Sequence, residues 1–479
     1  MDRLLRLLGL RYATAGLVLI ALAALYGAAD LSRPDAPARA AGKPVEAALT
    51  STMMVCPAHE DGRVSVLAPA RSGSGRADIV QTRDGKVVAS VPNPGESYAK
   101  DITHGQDSYT VRGSGALASG LEAERTTYWP GGDDRGLAGV RCARPGTDLW
   151  FLGPGPIAAE KLDLYLTNVD AQPASVDVTA LSGEGPLDTP DGQGTPVEPY
   201  STRIIPLGKS PEGLGDILAT ARDLALRVHS TTGRVAASVR VRIGKKKGIE
   251  WMPLSPAPAK TLVVPGIPSG EGNRQLLVGV PGSEDARIKV QVLTPNGAFA
   301  PQGQDVLDAP AETVTPLELD RALSGKPAAV RLVSDRPIVA GFDAQRGGDV
   351  GFGTATAPLS PTGAVISDNR FDSTLQLTAP AGAASVRITA IGGQGPGSPQ
   401  VVKIPAGRTT EVKIAGPRGG EHGYGVLVVP VEGSGPVHAA RTLTTGKGDK
   451  ALFTVLPLEP AATTVTLPPV GDSQTAVIH

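Results

Sequence analysis

Histidine is scarce, with six in 479 residues, at 59, 104, 229, 422, 438 and 479. Metal sites and acid–base catalysis lean on imidazole, so neither a metal ligand set nor a cofactor is expected. The charges nearly cancel, 46 Lys plus Arg against 47 Asp plus Glu. No long-range field therefore draws the chain to an acidic polymer, and no nucleic-acid partner is expected. Aromatic residues make up only 4%, so the cores must be built from small aliphatic side chains. The catalytic signatures are missing too: no GxSxG elbow, no HExxH, no phosphate-binding loop, no DxDxDG calcium loop. The chain reads as a non-enzyme, with no catalytic residue to assign.

Glycine (60) and proline (43) are abundant, which calls for many turns. The opening residues differ from the rest. Arg3, Arg6 and Arg11 precede an uncharged run from Tyr12 to Ala29, which as a helix would rise about 27 Å and just span a bilayer. By the positive-inside rule the N-terminus stays cytoplasmic and the bulk of the chain is extracytoplasmic, a single-pass protein of the cell membrane. A cleaved signal peptide is the competing reading, because "YGAAD" and "ARAAG" supply small residues near a cleavage site. The Pro- and Ala-rich stretch 30–47 reads as a linker.

Only two cysteines occur, Cys56 and Cys142. In an oxidising compartment an even count implies a disulfide; two buried free thiols are the alternative.

The body repeats itself. "GSGALASGLEAERT", "TTGRVAASVRVRIG", "SDRPIVAGFDAQ" and "GSGPVHAARTLTTG" are each a turn, an aliphatic residue, two small residues and an outgoing strand, anchored at Leu117, Val235, Ile338 and Val437. A second phrase, "ASVDVTALSGEG", "ARIKVQVLTPNG" and "ASVRITAIGGQG", alternates apolar and polar residues before a glycine turn, the pattern of a half-buried antiparallel strand. A third, "PLSP", "PLSP" and "PLEP" at 253–256, 358–361 and 457–460, trails the first at a nearly constant distance. Three features in one order at one period of about 100 residues indicate duplication. The expected fold is all-β: tandem immunoglobulin-like β-sandwich modules behind one N-terminal transmembrane helix. A β-propeller is the alternative, although its blades repeat at roughly half this period.

The organisation that follows is 1–29 cytoplasmic flank and transmembrane signal-anchor, 30–47 linker, 48–137 a divergent first sandwich, 138–256, 257–361 and 362–470 the second to fourth modules, and 471–479 a flexible tail. A helical turn is expected within 212–228. The strand in 463–470 is expected to fold back onto the fourth module, since an exposed strand is an aggregation edge.

Four side-chain groups invite a chemical reading. His59, Glu60 and Asp61 lie beside Cys56 but are consecutive in a turn, where side chains rarely converge. Asp133 and Asp134 fall short of a calcium site. The "GKKKG" run at 244–248 reads as a hairpin turn or as a contact for anionic headgroups. Trp129 and Trp150 are the candidates for stacking on a glycan or partner; the other reading places tryptophans, Trp251 included, at structural joints between modules.

"LDLYLTNVDAQPASVDVTALSGEG", "LALRVHSTTGRVAASV", "GLEAERTTYW" and "CARPGTDLWFLGPG" resemble an uncharacterised actinobacterial, membrane-anchored exported family, a domain of unknown function built of tandem immunoglobulin-like repeats. The resemblance implies architecture and export and brings no catalytic residues. Its Glu-Arg pair survives here only at Glu124 and Arg125. The expected role is a non-catalytic stalk or scaffold of the cell envelope with a protein or glycan partner; the alternative is a carbohydrate-binding protein of the cell wall.

Overall fold

The alternating phrases become strands whose burial follows their pattern. In Ala286–Thr294, Ile288, Val290 and Val292 are buried while Arg287 and Lys289 face solvent. Ala174–Ser182 repeats the alternation with Val176, Val178 and Ala180 inward. The anchors of the opening phrase, Leu117, Val235, Ile338 and Val437, are all essentially inaccessible. The repeat is thus a repeat of core positions.

This is a computed structural model, which describes residues 15–28 and 45–467, apart from 59, 60, 92, 104–106, 419, 421 and 422. The expectations for His59, Glu60, the arginine-bearing N-terminus, the linker over 29–44 and the tail lie outside the described residues. The chain is all-β and its sheets are antiparallel.

Four sandwiches follow one another between residues 51 and 457, each with its own aliphatic core. One strand order serves all of them. In the second, one sheet runs Asp148–Pro154, Asp223–Thr232, Ala174–Ser182, Gly185–Leu187, and the facing sheet runs Thr202–Pro206, Lys161–Thr167, Ala236–Arg242, Ile249–Met252. Counted along the module without Thr195–Val197, which also pairs with Ala174–Ser182, these are strands 1-6-3-4 and 5-2-7-8; the first module repeats both orders, and so does the fourth when Gln400–Ile404 is likewise set aside. In the third module strands six and seven are fused into the 19-residue strand Ala328–Arg346, which crosses from one sheet to the other. The helical turn within 212–228 is Gly215–Ala219, ahead of the strand at Asp223.

Three features depart from the sequence reading. The first sandwich extends to Arg141, past the expected limit at 137, because Gly136–Arg141 pairs with Glu122–Trp129 as its eighth strand. The strand at the end, Thr464–Leu467, does not complete a sheet of the fourth module. It pairs with Val45–Ala48 in a two-stranded sheet, since Leu452–Pro457 already occupies the edge of the fourth module. Nor do the sandwiches stand in a row. Residues 48–464 form one compact unit, in which the eighth strands of the four modules, Gly136–Arg141, Ile249–Met252, Asp349–Thr354 and Leu452–Pro457, converge. The first packs on the second and fourth, and the third packs on the second and fourth, which closes a ring.

These closing strands are shared property. Val350 and Phe352 of the third module enter the core of the second, and Phe453 and Val455 of the fourth enter the core of the third. Glycine permits the approach. A Cβ on Gly351 would lie 2.6 Å from the Phe453 ring, and one on Gly136 2.6 Å from the Ile249 side chain.

Outside this unit the described helix covers 15–28, about 21 Å at 1.5 Å per residue. Among the described residues no helix is long and apolar enough to cross a membrane.

Cys56 and Cys142 are bridged. Cys56 ends the first strand of the first sandwich, and Cys142 follows its closing strand and donates its backbone N–H to Ala123 at 2.9 Å. The bridge ties the module's start to its end. It closes an 86-residue separation, so the double variant Cys56→Ala/Cys142→Ala should lose about 4 to 5 kcal/mol by the loop-entropy relation; denaturant unfolding of residues 45–467 measures this. Gly351→Val should cost about 1 to 3 kcal/mol from overpacking against Phe453. A thermal melt unchanged from the native chain would show that the ring centre has slack.

Candidate functional site

The ring centre is where the chain concentrates buried charge. Glu250, on the closing strand of the second module, is wholly buried, and its Oε1 accepts the backbone N–H of Gly139 at 2.9 Å from the first module. The same oxygen accepts the N–H of Trp251 at 2.9 Å. Asp349, opening the closing strand of the third module, is equally inaccessible. Its Oδ2 accepts from Phe453 of the fourth at 2.9 Å and from Leu137 of the first at 3.4 Å. Two carboxyls thus hold edge N–H groups of neighbouring modules. Burial pushes Glu250 well above the usual carboxylate range and Asp349 up to about 7.

The first and fourth modules are joined by a second buried set. Glu124 Oε2 accepts from Arg441 Nη1 at 3.1 Å with both side chains buried, and Glu124 Oε1 accepts the N–H of Ser367 at 2.6 Å. Arg441 also donates to the Asp368 carbonyl. Arg125 points the other way and donates to the Pro57 carbonyl at 2.8 Å; burial draws its pKa down to about 10. The Glu-Arg pair singled out by resemblance therefore splits between two structural tasks.

Asp133 and Asp134 meet the lysine-rich turn. Asp134 pairs with Arg242 at 3.0 Å and Arg240 at 3.5 Å, Asp133 pairs with Lys245 at 3.3 Å, and Lys246 donates its N–H to the Asp133 carbonyl at 2.8 Å. The acidic turn of the first module and the basic turn of the second thus form one joint. Among the described residues no group of three or more His, Cys, Asp or Glu could hold a metal ion.

Neither tryptophan candidate offers an open ring. Trp150 is 5% exposed and packed with Leu152, Leu277 and Val339 between the second and third modules, while Arg227 lies 5.5 Å from its ring centre. A pyranose cannot stack on it. Trp129 is half-buried against Ala138, Val140 and Trp251, with Arg240 5.7 Å from its ring centre. Trp251 is buried beside Tyr165, ring centres 5.3 Å apart. All three sit at joints.

A cavity of about 260 Å³ lies where the first, second and fourth modules meet. The PLSP element of the second module and the PLEP element of the fourth both line it, with Met54 and Trp251 forming apolar wall. At its polar side Arg141 pairs with Glu122 through Nε at 2.6 Å and through Nη2, and Arg144 reaches Glu122 at 3.4 Å. Glu459 faces this group, its carboxyl pushed up to about 7 by burial.

The sequence reading singled out Glu124, Arg125, Asp133, Asp134 and the lysines without seeing what each meets. It missed Glu250, Asp349, Arg141, Arg144 and Glu459. A signal for two of them stands in the text: Glu250 is a lone acid in the apolar run "IEWMP", and Glu459 sits inside the third copy of the PLxP element.

Residues 97–415 match a family of unknown function, DUF5719. That is more than half of the chain, and the chain belongs to this family. No curated protein matches the chain. A solved structure described as a tetra-tandem repeat in the extending region of a large adhesion protein aligns at 13% identity, over 88% of this chain and 96% of its own, with a TM-score of 0.10. That score carries no argument about the fold.

Asp349 generates a pH prediction. Folded, it binds its proton up to about pH 7; unfolded, at the ordinary 3.8. Between those values the folded chain holds the extra proton, so stability falls as pH rises from about 4 to about 7 and levels off above. Asp349→Asn should flatten part of that fall, by a few kcal/mol for a shift of this size. Melting the native chain and the variant from pH 5 to 8 measures it, and parallel curves would mean that the buried carboxyl does not take up the proton.

Proposed function

We propose that this chain is a non-catalytic, membrane-anchored extracytoplasmic protein of the cell envelope, acting as a compact structural and interaction hub built of immunoglobulin-like modules. One observation carries the reading: the charged and aromatic side chains that could have made a reactive or sugar-binding surface, from Glu124 and Asp134 to Trp150, are spent on joining the four modules. A chain that commits its rare chemistry to joints maintains a shape. The ring changes the expected stalk into a rigid body with lateral faces, suited to holding partners at a fixed spacing. The actinobacterial origin implied by resemblance belongs to this proposal as well.

Anchoring is supported by the uncharged run Tyr12–Ala29 behind Arg3, Arg6 and Arg11, part of which is the helix over 15–28. The disulfide supports an oxidising compartment. Crosslinking the native protein in its membrane and identifying what is captured tests the reading: envelope proteins are expected. Recovery of wall polymer alone would favour the carbohydrate-binding alternative. N-terminal sequencing of the mature protein should find the first 29 residues retained, and a start beyond Ala29 would replace the anchor with a cleaved leader.

A further inference from the structure

We propose that the cavity at the meeting of the first, second and fourth sandwiches is a binding site for a small carboxylate carried on a short apolar chain. The proposal stands apart from the anchoring and partner reading above.

The cavity is a built one. Its wall is apolar: Met54, Trp251, Leu254, Val455 and Leu456 line it. At about 260 Å³ it holds on the order of eight or nine non-hydrogen atoms, at the roughly 30 Å³ that a water molecule occupies. Its polar side has an uncompensated cation. Glu122 is 2% exposed and satisfies Arg141 with two hydrogen bonds, leaving Arg144 with only a 3.4 Å contact to the same oxygen. The Nε of Arg144 is buried with no acceptor among the described residues. The Arg144 side chain as a whole is 37% exposed, but its buried Nε–H without a partner costs free energy that an incoming anion would recover.

Glu459 makes this selective. It faces Arg141, Arg144 and Glu122, and burial holds it neutral until about pH 7; Glu124, a further carboxyl acting on Arg141, is engaged in its ion pair with Arg441. Below that value the two arginines and Glu122 sum to one positive charge, which favours a carboxylate over an alcohol or an amine of equal length. Above it, the ionised Glu459 competes with the ligand for Arg144.

The probe is hexanoate, eight non-hydrogen atoms, added to the full-length chain in detergent and followed by titration calorimetry and thermal shift. Hexanoate is expected to bind and raise the melting temperature, with hexanol and hexylamine at least tenfold weaker. Because Glu459 ionises near pH 7, hexanoate affinity should fall about tenfold from pH 6 to pH 8, and Glu459→Gln should make it flat. Arg144→Gln should remove the preference for hexanoate over hexanol; Leu254→Trp, at the partly exposed mouth, should fill the cavity and abolish binding of both without unfolding the chain. Hexanoate and hexanol binding alike in the native chain, an affinity flat across that pH range, or no binding at millimolar hexanoate would each overturn the proposal.

Discussion

Everything in the 48–464 unit hangs on how four sheet edges are buried. Each closing strand is paired on one side only, so its other side presents N–H and C=O groups that must find partners or cost free energy. In an antiparallel strand alternate residues direct these groups to the same side, and Leu137 and Gly139 are two apart. The acceptors that meet them, Asp349 and Glu250, come from two other modules. A side chain thus does the work of a neighbouring strand. Asp349 does it twice, for Leu137 and for Phe453, and that double hold links three modules through one carboxyl.

This solution dictates the composition around it. A strand covered on both faces and at its free edge has no solvent side, so it cannot alternate apolar with polar. Apart from Arg141, Asp349 and Thr354, Gly136–Arg141 and Asp349–Thr354 are accordingly written in Gly, Ala, Val, Leu and Phe, and almost every residue is buried. Glycine appears where the neighbouring ring or side chain comes closest, at Gly351 and Gly136. The scarcity of aromatics follows in part from the same geometry, because four strands meeting at one centre leave room for few large side chains. Phe352, Phe453 and Trp251 are the exceptions, and the two phenylalanines are each lodged in the core of another module.

The parts that sequence makes legible are those governed by local period. The two-residue alternation of 286–294 and the anchors, Ile338 within its strand and Val235 and Val437 each one residue before theirs, have an inside and outside fixed within one module, and the pattern states them directly. With only two cysteines in the chain, a single pairing, Cys56 with Cys142, is available to be read. The ring is not. Its contacts join residues more than 100 positions apart, such as Gly139 with Glu250 and Glu124 with Arg441, and nothing in "GIEWMP" says whether the acid faces water or a neighbour's backbone. The same holds for Asp133 and the lysine turn: each reads as a solvated loop until the other is placed against it. Repeat copies predict similar modules; they do not predict how the modules meet.

Divergence between the copies has its own logic in such a ring. Four identical modules would place like beside like at every joint, and their side chains would not select one packing of the tethered modules over another. The joints are instead unlike. Glu124 faces Arg441 where the last module meets the first; Asp134 faces Arg242 and Arg240 between the first and second; Trp150 fills the contact between the second and third. Burying an ion pair returns little net stability against its desolvation, but leaving either partner alone is costly. A wrong pairing of modules would leave Glu124 or Arg441 buried without its counterpart, so these pairs act mainly by penalising every other arrangement. At this joint Glu124 of the first module is met by Arg441 of the fourth, and a glutamate in place of Arg441 would set two buried carboxylates against each other.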